Sequence, residues 1–143
     1  MIETTQQLER KAVITISTTG NLVIDQLAEA FKPYDISLPQ FNVLRILRGQ
    51  KGKPASLQCV QDKMLHKMSN TTRLVDKLIA KGYVCREVCS HNRRKIEITL
   101  TQGGLEFINS LDRVLDQTEH ELTKNYTQQE LETLIHLLQK MNT

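Results

Sequence analysis

Apolar residues recur every three or four positions at both ends of this chain and switch to strict alternation once, past its middle. Leu8, Ala12, Ile16, Val23, Leu27 and Phe31 keep helical spacing, which predicts one long helix closed by Pro33. Thr4-x-x-Gln7 has the spacing of a capping box at its start, and Gly20 is its weak point. Ser37-x-x-Gln40, with Pro39 in the first turn, opens a second helix that runs through Arg48 to a stop at Gly49. A basic loop over 49–54 follows. Ser56 can cap a short helix from Leu57 to about Met64. After Leu65-His66 a further helix runs from about Lys67 to Lys81, with Gly82 suited to its C′ position. Two short helices joined by a tight turn make a helix-turn-helix pattern.

The period then changes. Ile96, Ile98 and Leu100 alternate with Glu97, Thr99 and Thr101, as in a half-buried strand, and Tyr83 to Cys89 is β-rich enough to pair with it. Ser90-His91-Asn92-Arg93 is the polar hairpin tip, and Gly103-Gly104 ends the strand region. Two helices complete the chain, one with Leu105, Ile108, Leu111, Leu115 and Leu122 on a stripe. The other is opened by a Thr127-x-x-Glu130 capping box and striped by Leu131, Leu134, Ile135, Leu138 and Met141. The predicted order is ααααββαα: mainly α with a small β-hairpin wing.

Length and composition narrow this further. At 143 residues there is enough chain for one core and too little for two. Aromatics are 4% with no Trp, so the core is aliphatic, which favours packed helices over a sheet sandwich. The N-terminus lacks the basic region and apolar run of a signal peptide. No apolar stretch approaches the roughly 18 residues of a membrane span. A soluble cytoplasmic protein with no membrane partner is expected. Cys59, Cys85 and Cys89 are too few and scattered for a disulfide framework. Cys85, Cys89 and His91 share a face by parity, but positions 85 and 91 of an extended strand lie roughly 20 Å apart, so no metal site is expected. No Ser/His/Asp set, phosphate loop or paired carboxylates emerge, and neither a cofactor nor enzyme activity is expected.

The formal net charge of +3 conceals a division. Residues 38–101 hold 13 Lys or Arg against 4 acids, a net +9, while the two flanks together carry −6. A basic centre between acidic ends is the footprint of a polyanion partner. Nucleic acid fits better than a membrane surface, because no basic amphipathic helix sits at a terminus.

On a helical wheel, Met68, Thr71, Thr72, Val75, Leu78 and Ile79 fall on one side. Ser69, Asn70, Arg73, Asp76, Lys77 and Ala80 fall on the other. The outward face starts with short hydrogen-bonding groups and continues with cations, which suits a helix in the DNA major groove. The hairpin tip adds Arg93, Arg94 and Lys95 beside Asn92, and inserted Arg is attracted by the negative potential of a narrow minor groove.

Thr72-Arg73-Leu74-Val75-Asp76-Lys77-Leu78 followed by Lys81-Gly82-Tyr83-Val84 resembles the recognition helix of the MarR family and its exit. Asn92-Arg93-Arg94 and Leu100-Thr101-x-x-Gly104 are similar to that family's wing and following strand, and Leu38-Pro39-Gln40-Phe41-x-Val43-Leu44 to its second helix. The resemblance spans residues 38–104. It implies a winged helix-turn-helix DNA-binding lobe over 37–101, flanked by dimerisation helices over 1–36 and 102–143. It also implies a homodimeric regulator, usually a repressor, on a pseudo-palindromic duplex operator, often released by a small anionic or phenolic effector or by oxidation. Family members that sense oxidation use a cysteine in the first helix, and this chain has none there. The candidate DNA-binding residues are Lys67, Ser69, Asn70, Thr72, Arg73, Lys77, Asn92, Arg93, Arg94 and Lys95. Asn92 stands where the family has the Asp of an Asp-x-Arg pair that braces the wing, so the brace loses its charge assistance. The rival expectations are a winged-helix module for protein contacts and a ligand sensor with weak DNA affinity.

Overall fold

The computed structural model describes residues 2–65, 70–89 and 91–142, with the backbone alone at Arg93. Helix α1 (Thr5–Phe31) begins on the Thr4/Gln7 capping box, both halves of which are formed. A 3-10 turn over Lys32–Tyr34 follows, with Asp35 in the left-handed region at φ 53° and ψ 44°. Helix α2 (Leu38–Gly49) starts on the reciprocal Ser37/Gln40 box. Then come β1 (Ala55–Ser56), α3 (Leu57–Lys63), α4 (Thr71–Ala80), β2 (Val84–Cys89), β3 (Asn92–Leu100), α5 (Gln102–Thr123) and α6 (Gln128–Gln139). The result is mainly helical, with a three-stranded antiparallel sheet in the order β1-β3-β2.

Several boundaries differ from the sequence expectation. Gly49 lies inside α2, whose last turn closes on Gln50. Helix α4 starts at Thr71 rather than near Lys67, because the Asn70 side chain caps it by accepting from the Arg73 N–H at 3.1 Å. The third strand, β1, was not expected: two residues are too short to show a period, and only pairing of Ala55 with Ile98 and Ser56 with Glu97 makes them a strand. Strand β3 reaches back to Asn92, but the register jumps from the Val88–Ile96 pair to the Cys89–Asn92 pair, so residues 93–95 fall in a bulge of the hairpin without partners on β2 among the described residues. Gly103 and Gly104, expected to end the strand region, lie in the first turn of α5.

The core sits under α2, where Phe41, Val43, Leu44, Ile46 and Leu47 are buried against Phe31, Val60, Val75, Leu78, Ile98, Ile108 and Leu111. Each such side chain contributes about 1.5–3 kcal/mol by leaving water. Phe31 stacks on Phe41 with ring centroids 4.5 Å apart, which ties the end of α1 to α2.

A second joint welds the exit of α4 to the start of α5. Gly82 takes φ 81°, the left-handed C′ conformation expected of it. The Thr101 N–H donates to the Tyr83 carbonyl at 3.0 Å, and its hydroxyl donates to the Gly82 carbonyl at 2.7 Å. The same hydroxyl oxygen accepts from the Gly104 N–H at 2.9 Å, capping α5. Any Cβ on Gly104 would collide with the Tyr83 carbonyl oxygen, so this glycine lets backbone approach backbone. Tyr83 and Phe107 stack over the joint at 4.4 Å, almost parallel.

Candidate nucleic-acid interface

Ser56 caps α3 by accepting from the Cys59 N–H at 3.0 Å, and the buried Thr71 hydroxyl donates to Gln61 across the turn between α3 and α4. That bond and the burial of Val60 and Val75 fix α3 and α4 against each other. Helix α4 then buries Thr71, Val75 and Leu78 and leaves Thr72, Arg73, Asp76 and Lys77 exposed. Thr72, grouped by the wheel with the inward residues, therefore faces solvent beside Arg73. Ten residues wind through nearly three turns, and the strict 100° step places Thr72 at the edge of the buried arc. Asn70 is exposed, but its side-chain oxygen is committed to the cap, which leaves the amide N–H₂ as its free hydrogen-bonding group.

The wing stands beside this face. Arg86 on β2 reaches Asp76 on α4 at 3.2 Å, so the one acid on the exposed face of α4 is paired, and the pair braces the wing against the helix. At the tip, the Asn92 side-chain oxygen accepts from the Arg94 backbone N–H at 3.1 Å. The contact between residues 92 and 94 is thus made to main chain, by a neutral amide without charge assistance. Arg94 and Lys95 are exposed. Lys67 and Ser69 lie outside the described residues, as does the Arg93 side chain.

The nine excess positive charges of the central segment are not all on this face. Arg48 donates to both Asp112 oxygens and to Asn109 Oδ1, each at 3.0 Å, linking α2 to α5. Lys81 bonds the Asp35 carbonyl and lies 3.6 Å from its carboxylate. The loop with Lys51 and Lys53 enters β1 at the end of β3 remote from the hairpin tip, as the Ala55–Ile98 register requires. Sequence reasoning missed the engagement of Arg48, Lys81 and Arg86, because each partner is 10 or more residues away and no local spacing announces it. Among the described residues, no three His, Cys, Asp or Glu side chains converge on a metal position, and no helix is long and apolar enough to cross a membrane. Cys85 is exposed and Cys59 and Cys89 are half-buried; none forms a disulfide.

The MarR family model matches residues 36–96, the segment from the start of α2 into β3. The multiple antibiotic resistance protein MarR of Escherichia coli (strain K12) is 33% identical over 121 residues, which cover 80% of this chain and 79% of that protein. Among solved structures, a MarR-like transcription regulator from Bacillus cereus ATCC 10987 superposes with a TM-score of 0.84 at 27% identity, covering 94% of this chain and 95% of that one. A MarR variant from E. coli in complex with operator DNA gives 0.83 at 26% identity, covering 97% and 99%. Sequence identity and superposition agree over most of the length of both chains: this chain belongs to the MarR family of transcription regulators.

Proposed function

We propose that this chain binds duplex DNA as a homodimer in the cytoplasm and represses transcription. In this reading α4 enters the major groove, and the β2–β3 wing grips the neighbouring minor groove. The observation that carries it is the exposure of Thr72, Arg73 and Lys77 on α4 and of Arg94 and Lys95 on the wing, two elements joined by the Asp76–Arg86 pair. The E. coli relative crystallised with its operator aligns over nearly the whole chain, which supports the same use of the same elements. Residues 37–101 form the reader, and 1–36 with 102–143 form the dimerisation part. Leu8, Val13, Ile14 and Leu22 of α1 and Ile135, Leu137 and Met141 of the C-terminal end are exposed, more apolar surface than a soluble monomer keeps. A small-molecule effector that releases DNA fits this family, with the joints between dimerisation helices and reader as the route.

The test is selection of bound fragments from a random duplex library, followed by binding of the recovered duplex over a salt series. A pseudo-palindrome with half-sites about 10 bp apart is expected, with affinity falling steeply as salt rises. Binding that is absent, or indifferent to salt and sequence, would assign the fold to protein contacts instead.

A further inference from the structure

Lys81 is the last cation of the reading helix and closes it as the C-cap residue. By composition it belongs with the charges that meet DNA. Its side chain turns the other way: the ammonium donates to the main-chain oxygen of Asp35, and the Asp35 carboxylate lies 3.6 Å away. The Lys81 side chain is only 29% exposed although the residue lies at the protein surface, whereas that of Asp35 is fully exposed. The carboxylate is therefore well screened by water, and the carbonyl is the partner that holds geometry. Asp35 occupies the left-handed conformation that ends the 3-10 turn after α1, and its own N–H is bonded to the Lys32 carbonyl at 3.1 Å. Its carbonyl thus sits at the negative end of the α1 and 3-10 segment, a favourable place for an ammonium group. Lys81 is itself at the negative end of α4. The bond crosses 46 residues of sequence and joins the end of α4 to the turn through which α1 enters α2.

On the opposite side the same turn of chain is held to α5, through Thr101 on the Gly82 and Tyr83 carbonyls and through the Tyr83–Phe107 stack. The C-terminal end of α4 is consequently held between the turn that follows α1 and the start of α5. We infer that Lys81 is a positioning residue: through the Asp35 main chain it sets how far apart a dimer holds its two reading helices, and so which half-site spacing the protein accepts. This rests on the dimeric DNA-reading function proposed above.

The test uses full-length wild type, Lys81→Met and Lys81→Arg, with the duplex recovered by selection with wild type. Two derivatives of that duplex have one base pair removed from or added to its centre. Met keeps the length and helix propensity of the side chain and removes its donor, so unfolding temperature is expected to stay close to wild type. Lys81→Met is expected to bind the selected duplex 3- to 10-fold more weakly. Its discrimination against the two altered spacings should fall by a similar factor, with the slope of log affinity against log salt unchanged. Lys81→Arg, which can still donate to the Asp35 carbonyl, is expected to restore the discrimination. A slope lowered by about 1.8 for the dimer would make Lys81 a phosphate contact and overturn the inference. Wild-type spacing discrimination in Lys81→Met would overturn it too. If wild type itself binds no duplex, the reading under Proposed function falls and takes this one with it; if wild type binds and the variants match it, only this one falls.

Discussion

Arg73 and Lys77 stand one turn apart on the exposed side of α4, and they are expected to do different work. Arg73 lies in the first turn, beside the Asn70 cap and Thr72, where the helix would enter the groove. A guanidinium there can take a guanine edge with two parallel bonds. Lys77, further along, is a point charge suited to phosphate. Arg73→Ala should flatten the preference among single-base operator variants. Lys77→Ala should weaken all sequences alike and lower the salt slope by about 0.9 for each phosphate no longer neutralised. Binding of an operator-variant panel over a salt series checks both, and reversal of the two phenotypes would exchange the roles. On the wing, Arg94→Ala is expected to cost on the order of 1–3 kcal/mol of binding. Asn92→Ala removes the bond to the Arg94 N–H and should weaken binding with no change in folding temperature beyond a few degrees. Of this site, the identity of the charged positions was legible in the sequence. That Arg86 neutralises Asp76 was not, since it depends on how β2 lies against α4; the Asn70 cap is local and was missed only because the helix was started near Lys67.

At the scale of elements, the joint between α4 and α5 rests on backbone packed against backbone, and its most sensitive position is Gly104. Gly104→Ala forces the Tyr83 carbonyl or the whole first turn of α5 to move, and is expected to destabilise by roughly 1–3 kcal/mol, as overpacking does. Denaturant unfolding measures this, and a variant as stable as wild type would show that the turn yields freely. Thr101→Val removes the α5 cap together with the bond to the Gly82 carbonyl, at a cost of about 1 kcal/mol or somewhat more. The Asp76–Arg86 pair is about half exposed on both sides, so a double-mutant cycle should return only about 0.2–1 kcal/mol of stability. Its larger effect should be on DNA affinity, through wing orientation. Helix starts were readable here because Thr4, Ser37, Ser56 and Thr127 cap within three residues of themselves. Strand β1 was not, because its two residues become a strand only against β3.

For the whole molecule, the ends of the chain are proposed to decide its state of assembly. Helix α6 buries none of its residues, and the N-terminal two thirds of α1 is exposed. Removing residues 126–143 is expected to give monomer or aggregate by light scattering and to abolish specific operator binding. A soluble dimer with intact affinity would move the interface elsewhere.

The sequence alone determined the order of helices and wing, the caps that start α1, α2, α3 and α6, the basic centre between acidic ends, and the apolar stripes at both ends. Each is local or additive: caps act over three residues, periodicity over a few turns, and charge sums without coordinates. Only the tertiary structure decided which cations, among the described residues, are left without an acid or carbonyl partner, since Arg48, Lys81 and Arg86 are claimed by groups on other elements. It alone shows why Gly104 is a glycine and how the end of α4 is held on both sides. Such pairings depend on the packing of whole helices, and no spacing of residue types encodes a distance between elements joined by long stretches of chain.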